Sequence, residues 1–336
     1  MAFTPISGGG AFTRQNIESI NDNFARLFAT VTPGQAIYCN PGATSGATQD
    51  GSEDKPYTSL PIAYAKTRTG KNDIVFLVGD GATGASFRPT DTLTFANNAT
   101  HIFGIGAPSY NPRARIATLS GATAFAAFIK VTGTGSMFSN LGIFNDNAIA
   151  AQITWQDQGG RNYYNGVMFG GMADATSAAD AGSRILKLGG SGASGENVFE
   201  NCTFGLDTIA RSAANATIEF AGGSKRNVFR DCLFPSRCTA STPIHMISSG
   251  SNPLETFQLF VNPVFWNMPA NGSGTALAAV ATLAASGNGN VVLRNPSRYN
   301  ITDWGTNATS NAQIYVDGAA TGATDDIGRG AVAIAS

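Results

Sequence analysis

The chain has 336 residues, only 13% of them charged, and a formal net charge of −1. Its basic residues never run beyond a pair such as Lys225-Arg226, so a surface that tracks phosphates, and with it a nucleic-acid partner, is not expected. No stretch of about 18 apolar residues suggests a membrane span, and the N-terminus lacks the basic-then-apolar order of a secretory signal, so folding in a cytoplasm is expected.

The apolar residues, 43% of the chain, are broken up by 40 glycines and by many Asn, Ser, Thr and Ala. That mixture disfavours helical bundles and favours strands joined by turns, so an all-β protein is expected.

Three zones follow in chain order. Residues 1–34 form an N-terminal arm: a glycine-rich entry, "PISGGGAFT", precedes "RQNIESINDNFARLFA", which carries Ile17, Ile20, Phe24, Leu27 and Phe28 at helical spacing. Thr13 is an N-cap candidate, and Pro33-Gly34 ends the helix. So short an amphipathic helix needs a surface to bury its apolar stripe, and the glycine tether gives it reach beyond its own domain. These five residues are therefore the candidate anchor to another body.

The second zone opens with a strand at residues 36–40, an acidic turn "DGSEDK", a short helix over 56–67, and a buried-strand run "DIVFLVGDG". The acidic turn lacks the spacing of a calcium loop and reads as turn and capping chemistry. Neither "GGG" at 8–10 nor "VGDGATG" at 78–84 has the lysine or the strand-helix setting of a nucleotide site. The order "NPGATSGATQDGSEDKPYTSLPIAYA", then "DIVFLVGDG", then "HIFGIG", resembles the opening of right-handed parallel β-helix proteins of the pectate-lyase-like superfold. That resemblance implies an N-terminal strand and a capping helix ahead of the first coils.

The third zone repeats. An apolar residue, a spacer and an Asn or Asp recur around Asn140, Asn165, Asn201, Asp231, Asn262 and Asn295, at intervals of 25, 36, 30, 31 and 33 residues. Such a quasi-period marks a solenoid, with one coil of a three-faced β-helix per repeat and the Asn/Asp residues stacked as a structural ladder. The octapeptides "NVFENCTF" (197–204) and "NVFRDCLF" (227–234) read as adjacent rungs. Their alignment places Glu196 opposite Arg226 and Glu200 opposite Arg230, ladder pairs rather than a catalytic acid pair. The expected organisation is an arm over 1–34, a single-stranded right-handed parallel β-helix over 35–300, and a C-terminal strand and capping tail over 301–336.

For chemistry, Asp146, Asp157, Asp174, Asp180, Asp207 and Glu219 are acids that one face could gather, with Trp155, Tyr163 and Tyr164 as sugar-stacking rings. Their spacing fixes no such site, so no catalytic residue is assigned. Cys39, Cys202, Cys232 and Cys238 lack metal-ligand spacing and read as reduced buried residues, and His101 and His245 as structural; no metal and no cofactor are expected.

A weakly charged Ala/Gly/Ser/Thr/Asn-rich β-helix behind a short attachment helix resembles bacteriophage virion proteins, whose trimeric β-helices project from capsids or tails. The resemblance implies a homotrimer on the virion surface, held by the arm to the major capsid protein or another virion protein. The expected role is non-enzymatic, a capsid decoration (cement) protein or head fibre. The alternative is a tailspike that binds or depolymerises a host surface glycan.

Overall fold

The computed structural model describes residues 34–44, 48–79, 86–119, 125–190, 194–268, 275–306, 313–317 and 332–333. The arm residues Ile17, Ile20, Phe24, Leu27 and Phe28 lie outside the described residues. The described residues form a parallel β-helix built from three sheets.

Each coil visits the sheets in turn. Tyr163–Asn165 lies in sheet A, Met168–Gly170 in sheet B and Arg184–Leu188 in sheet C, and Val198–Glu200 then returns to sheet A one rung up. Among the described residues, sheets A, B and C hold 11, 7 and 8 strands. All pairs are parallel except the last in sheet A, where Val332–Ala333 runs antiparallel to Gln313–Asp317. That short strand covers an otherwise unpaired edge. Stacking runs past residue 300, since Ile301–Thr306 pairs with Leu277–Thr282 and Gln313–Asp317 with Asn290–Arg294. At the other end the helix is shorter than its sequence suggests, Leu60–Tyr64, with Leu60, Ala63 and Tyr64 buried.

The coil is sharp where sheet A passes to sheet B because one residue there is left-handed. Asn140, Asn201, Asp231, Asn262 and Asn295 have φ between 50° and 54°. Asn and Asp tolerate this region better than other residues with a Cβ, which is why they recur. In one coil Gly166, φ 61°, takes the bend, and Asn165 sits one residue earlier on the strand, in register with Glu200. The side chains stack as well. Asn262 Nδ2 donates to Asp231 Oδ1 at 2.8 Å, and Asn295 Nδ2 donates to Asn262 Oδ1 at 3.0 Å.

A second, buried ladder runs inside. The backbone N–H of Ser136 donates to Asn162 Oδ1, that of Asn162 to Asn197 Oδ1 and that of Asn197 to Asn227 Oδ1, at 2.8, 2.9 and 3.1 Å. Asn227 Nδ2 then donates to Gln258 Oε1 at 2.8 Å. These amides satisfy backbone groups that the bend into sheet A leaves without a strand partner.

Two aromatic stacks fill the remaining core. Tyr164, Phe199, Phe229 and Phe260 lie nearly parallel from sheet A, with centroids 4.4, 4.6 and 4.3 Å apart. Phe169, Phe204, Phe234 and Phe265 repeat the pattern from sheet B at 4.8, 5.1 and 4.7 Å. The spacing is set by the rise of about 4.8 Å between neighbouring strands, which carries equal positions directly above one another.

Candidate functional site

The acids and rings singled out by sequence do not form one surface. Trp155 and Tyr164 are fully buried in the solenoid, with the Trp155 indole donating to Tyr164 Oη at 3.3 Å. Tyr164 in turn donates to Asp157 Oδ2 at 2.6 Å, and Asp157 also accepts from the Asn162 amide and the backbone N–H groups of Gly159 and Gly160. Burial pushes the Asp157 carboxyl above its ordinary range, and the four donors pull it part of the way back. A carboxyl sealed from solvent in this way braces the core and cannot meet a polysaccharide.

Apart from Asp207, which is exposed, the other acids are each occupied, Asp146 by the Thr118 hydroxyl. Glu219 holds Arg184 at 2.7 Å and Lys187 at 3.0 Å and accepts from the Ser249 hydroxyl. Although burial opposes ionisation, these donors hold the carboxyl below the usual glutamate range. Asp174 caps the short helix Ala175–Ala178 through the Thr176 N–H, and Asp180 accepts from the N–H groups of Ala151 and Gly182. Glu196 pairs with Arg226, as its alignment requires, and with Arg161 as well. Glu200 is in register with Arg230 but accepts from the Tyr163 hydroxyl at 2.5 Å, a bond that pushes the phenol up to about 12. Among the described residues, no group of three or more His, Cys, Asp or Glu is placed to hold a metal.

The histidines and cysteines are interior groups. His101 Nδ1 accepts from the Met137 N–H at 3.1 Å. His245 is fully buried beside the Thr217 hydroxyl, and desolvation, with the nearby Arg211 guanidinium, holds its value well below the ordinary one. All four cysteines are buried and free.

An exposed aromatic surface that the sequence reading missed lies on sheet B. Counting from the left-handed bend, the third residue faces the core and the fourth the opposite side of the strand: Phe234 and Pro235, the latter still buried, after Asp231, Phe265 and Trp266 after Asn262, Arg298 and Tyr299 after Asn295. In the last two coils the outward residues are large rings, Trp266 at 43% exposure and Tyr299 at 54%. They are in register on neighbouring strands, with ring centroids 5.8 Å apart and planes 47° from each other. Val264 and Ser297, half-buried, flank them on the same face. The run "NPVFWNM" hides this, because a continuous apolar stretch does not say which face is out. The bend at Asn262 sets the phase and could have revealed it.

An exposed Trp-Tyr pair offers two apolar ring faces with polar edges, and neither ring is held in a core. Such a surface suits the C–H faces of a sugar better than a charged ligand.

No known family model matches this chain, and no curated protein sequence matches it significantly. Solved structures do match in fold. The pectin methylesterase PemA from Erwinia chrysanthemi aligns over 88% of this chain and 93% of its own, with a TM-score of 0.53 and 14% identity. ORF18 of Geobacillus virus E2 aligns over 92% of this chain and 65% of its own, with a TM-score of 0.44 and 11% identity. Tailspike protein 2 of the Escherichia coli O157:H7 bacteriophage CAB120 aligns over 84% and 42%, with a TM-score of 0.37 and 10% identity.

The chain is thus a single-stranded parallel β-helix, a fold it shares with PemA. At these identities the likeness is one of fold. It corrects the expectation of a non-enzymatic protein: PemA, a pectin methylesterase, is an enzyme built on the same solenoid, so this architecture gives no ground for setting catalysis aside.

Proposed function

We propose that this chain is a surface protein of a tailed-bacteriophage virion that engages a host surface polysaccharide through Trp266 and Tyr299. The observation that carries the glycan part is the exposed ring pair on sheet B. The virion part rests on the resemblance of the whole organisation, an arm over 1–34 ahead of a weakly charged β-helix, to phage surface proteins. The arm anchors the particle end, and the solenoid faces outward.

Assembly as a homotrimer belongs to the same reading. The outward column of sheet A supports it: Met137, Tyr163, Val198, Val228, Leu259 and Val292 form a half-buried, mostly apolar stripe on successive coils. A face of that kind is suited to covering by a second copy. Sedimentation should give about three times the chain mass; a clean monomer at micromolar concentration would contradict this element.

The test of the glycan reading is an array of bacterial surface polysaccharides probed with the full chain and with Trp266→Ala. The wild type should bind at least one neutral or weakly charged polymer and the variant should lose that binding. An unaltered variant would overturn the assignment. Immunogold labelling of the particle separates a head from a tail position.

A further inference from the structure

We infer that a recess at the bend from sheet C into sheet A binds the carboxylate groups of an acidic, uronate-bearing saccharide. It has a volume of about 360 Å³, and neither of the sheet B rings lines it. Gly159 and Gly195 form its floor, and Arg161, Glu196, Lys225 and Arg226 form its walls.

The floor is bare by necessity. A methyl group on Gly195 would fall 2.4 Å from the Lys225 carbonyl oxygen, and one on Gly159 would fall 1.9 Å from that of Gly133. Glycine therefore lets the coils approach and leaves an open trough between charged side chains.

The walls are unusual in their backbone. Arg161, Glu196 and Arg226 occupy the same position on three successive coils, each left-handed, with φ of 56°, 60° and 51°. Earlier coils fill that position with Asn72 and Gly135, among others. Placing a long charged residue there costs roughly 1–2 kcal/mol each time relative to glycine. The chain accepts that cost three times running, where the side chains fan out from the corner of the solenoid.

The ion pairs do not use up the charge. Glu196 takes Arg161 Nε on one oxygen at 2.8 Å and Arg226 Nη1 on the other at 3.0 Å. It thereby fixes both guanidinium groups, which are still 75% and 50% exposed. Three cations against one carboxylate leave two positive charges in the recess. Glu255, in register with Lys225 one coil on, does not line it.

A fixed guanidinium presents two parallel N–H donors that match a planar carboxylate. Arg161 and Arg226 are two coils apart, about 10 Å along the solenoid axis, so they can meet acidic groups on different residues of one extended sugar chain. The chain shows no wider basic track of the kind a nucleic acid needs.

This inference is independent of the sheet B rings, and affinity electrophoresis at low salt keeps the two apart. The full chain is run through gels containing polygalacturonate, neutral dextran or dextran sulfate. Retardation by polygalacturonate should fall roughly tenfold in the double variant Arg161→Gln/Arg226→Gln, and by a smaller factor in Lys225→Gln. It should be unchanged in Lys66→Gln, an exposed lysine that does not line the recess. Lys225 takes no part in the ion pairs, so its variant preserves the test if the double variant does not fold. Absence of retardation by polygalacturonate, or retardation equal in wild type and recess variants, overturns the inference. Stronger retardation by dextran sulfate overturns the assignment to carboxylates.

Discussion

Phe265 and Trp266 are neighbours in sequence with opposite fates. Phe265 is fully buried, stacked on Phe234 at 4.7 Å, while Trp266 is 43% exposed and leans on Tyr299 across 5.8 Å. The inner ring is one of a series that the coil repeats; the outer ring has large aromatic company only in the next coil. In this solenoid repetition marks what holds the fold, and departure from repetition marks where function is to be sought. In the outward column the coils ahead of Trp266 carry Phe144, half-buried under the Arg115 guanidinium, then Gly170, Gly205 and Pro235, so Trp266 and Tyr299 are its exposed rings among the described residues.

The most forceful way to break the inner side of this contrast is Phe229→Ala, which opens a gap between Phe199 and Phe260. It should cost about 3–5 kcal/mol in chemical denaturation and leave any glycan affinity of the folded fraction untouched. Next comes Asn197→Ala, which leaves the Asn162 N–H buried without its acceptor; a loss of about 1–3 kcal/mol is expected in the same measurement.

Acid should act chiefly through His245 and Glu219, with His101, also lowered by burial, adding to the first and Asp157, raised by burial, working against the second. His245 is held below its ordinary value of 6.5, so it binds its proton less readily folded than unfolded. Stability is whole above about 6.5 and falls as the pH drops below it. Glu219, also held below its ordinary value, adds a second loss as the pH falls past the usual glutamate range. Thermal melts should therefore decline from pH 7 to pH 4, and His245→Leu should flatten the upper part of that decline. A melting temperature that rises with acidification would contradict both assignments. The smallest effect is expected for Asn262→Gly, which keeps the left-handed bend and removes only exposed side-chain bonds; a change within about 0.5 kcal/mol would fit.

Much of the scaffold was legible because solenoid physics writes itself into the sequence. The recurrence of Asn140, Asn201, Asp231, Asn262 and Asn295 reflects a backbone angle that few residues accept, so it survives even at variable coil length. Asn165 misled by one position because Gly166 accepts the angle better still and removes the marker. The ring assignments failed for a different reason. Trp155 and Tyr164 sit in coils as Trp266 and Tyr299 do, and residue type alone does not give the side of the strand. Counting from the bend does, since the fourth residue after Asn262 and Asn295 must face out. The acids could not be placed, because Glu219 is paired across coils with Arg184, Lys187 and Ser249, while Asp157 is sealed by donors from Gly159, Gly160, Asn162 and Tyr164, just after it in the chain, whose inward phase the spacing alone does not give.

The central claim is that the outer rings serve recognition and carry none of the fold. It is tested most directly by measuring stability and polysaccharide binding on the same preparation of the double variant Trp266→Ala/Tyr299→Ala. The account predicts unfolding free energy within about 1 kcal/mol of wild type, as for surface positions, together with loss of binding to the polysaccharide that wild type retains. A large loss of stability with binding intact would contradict it.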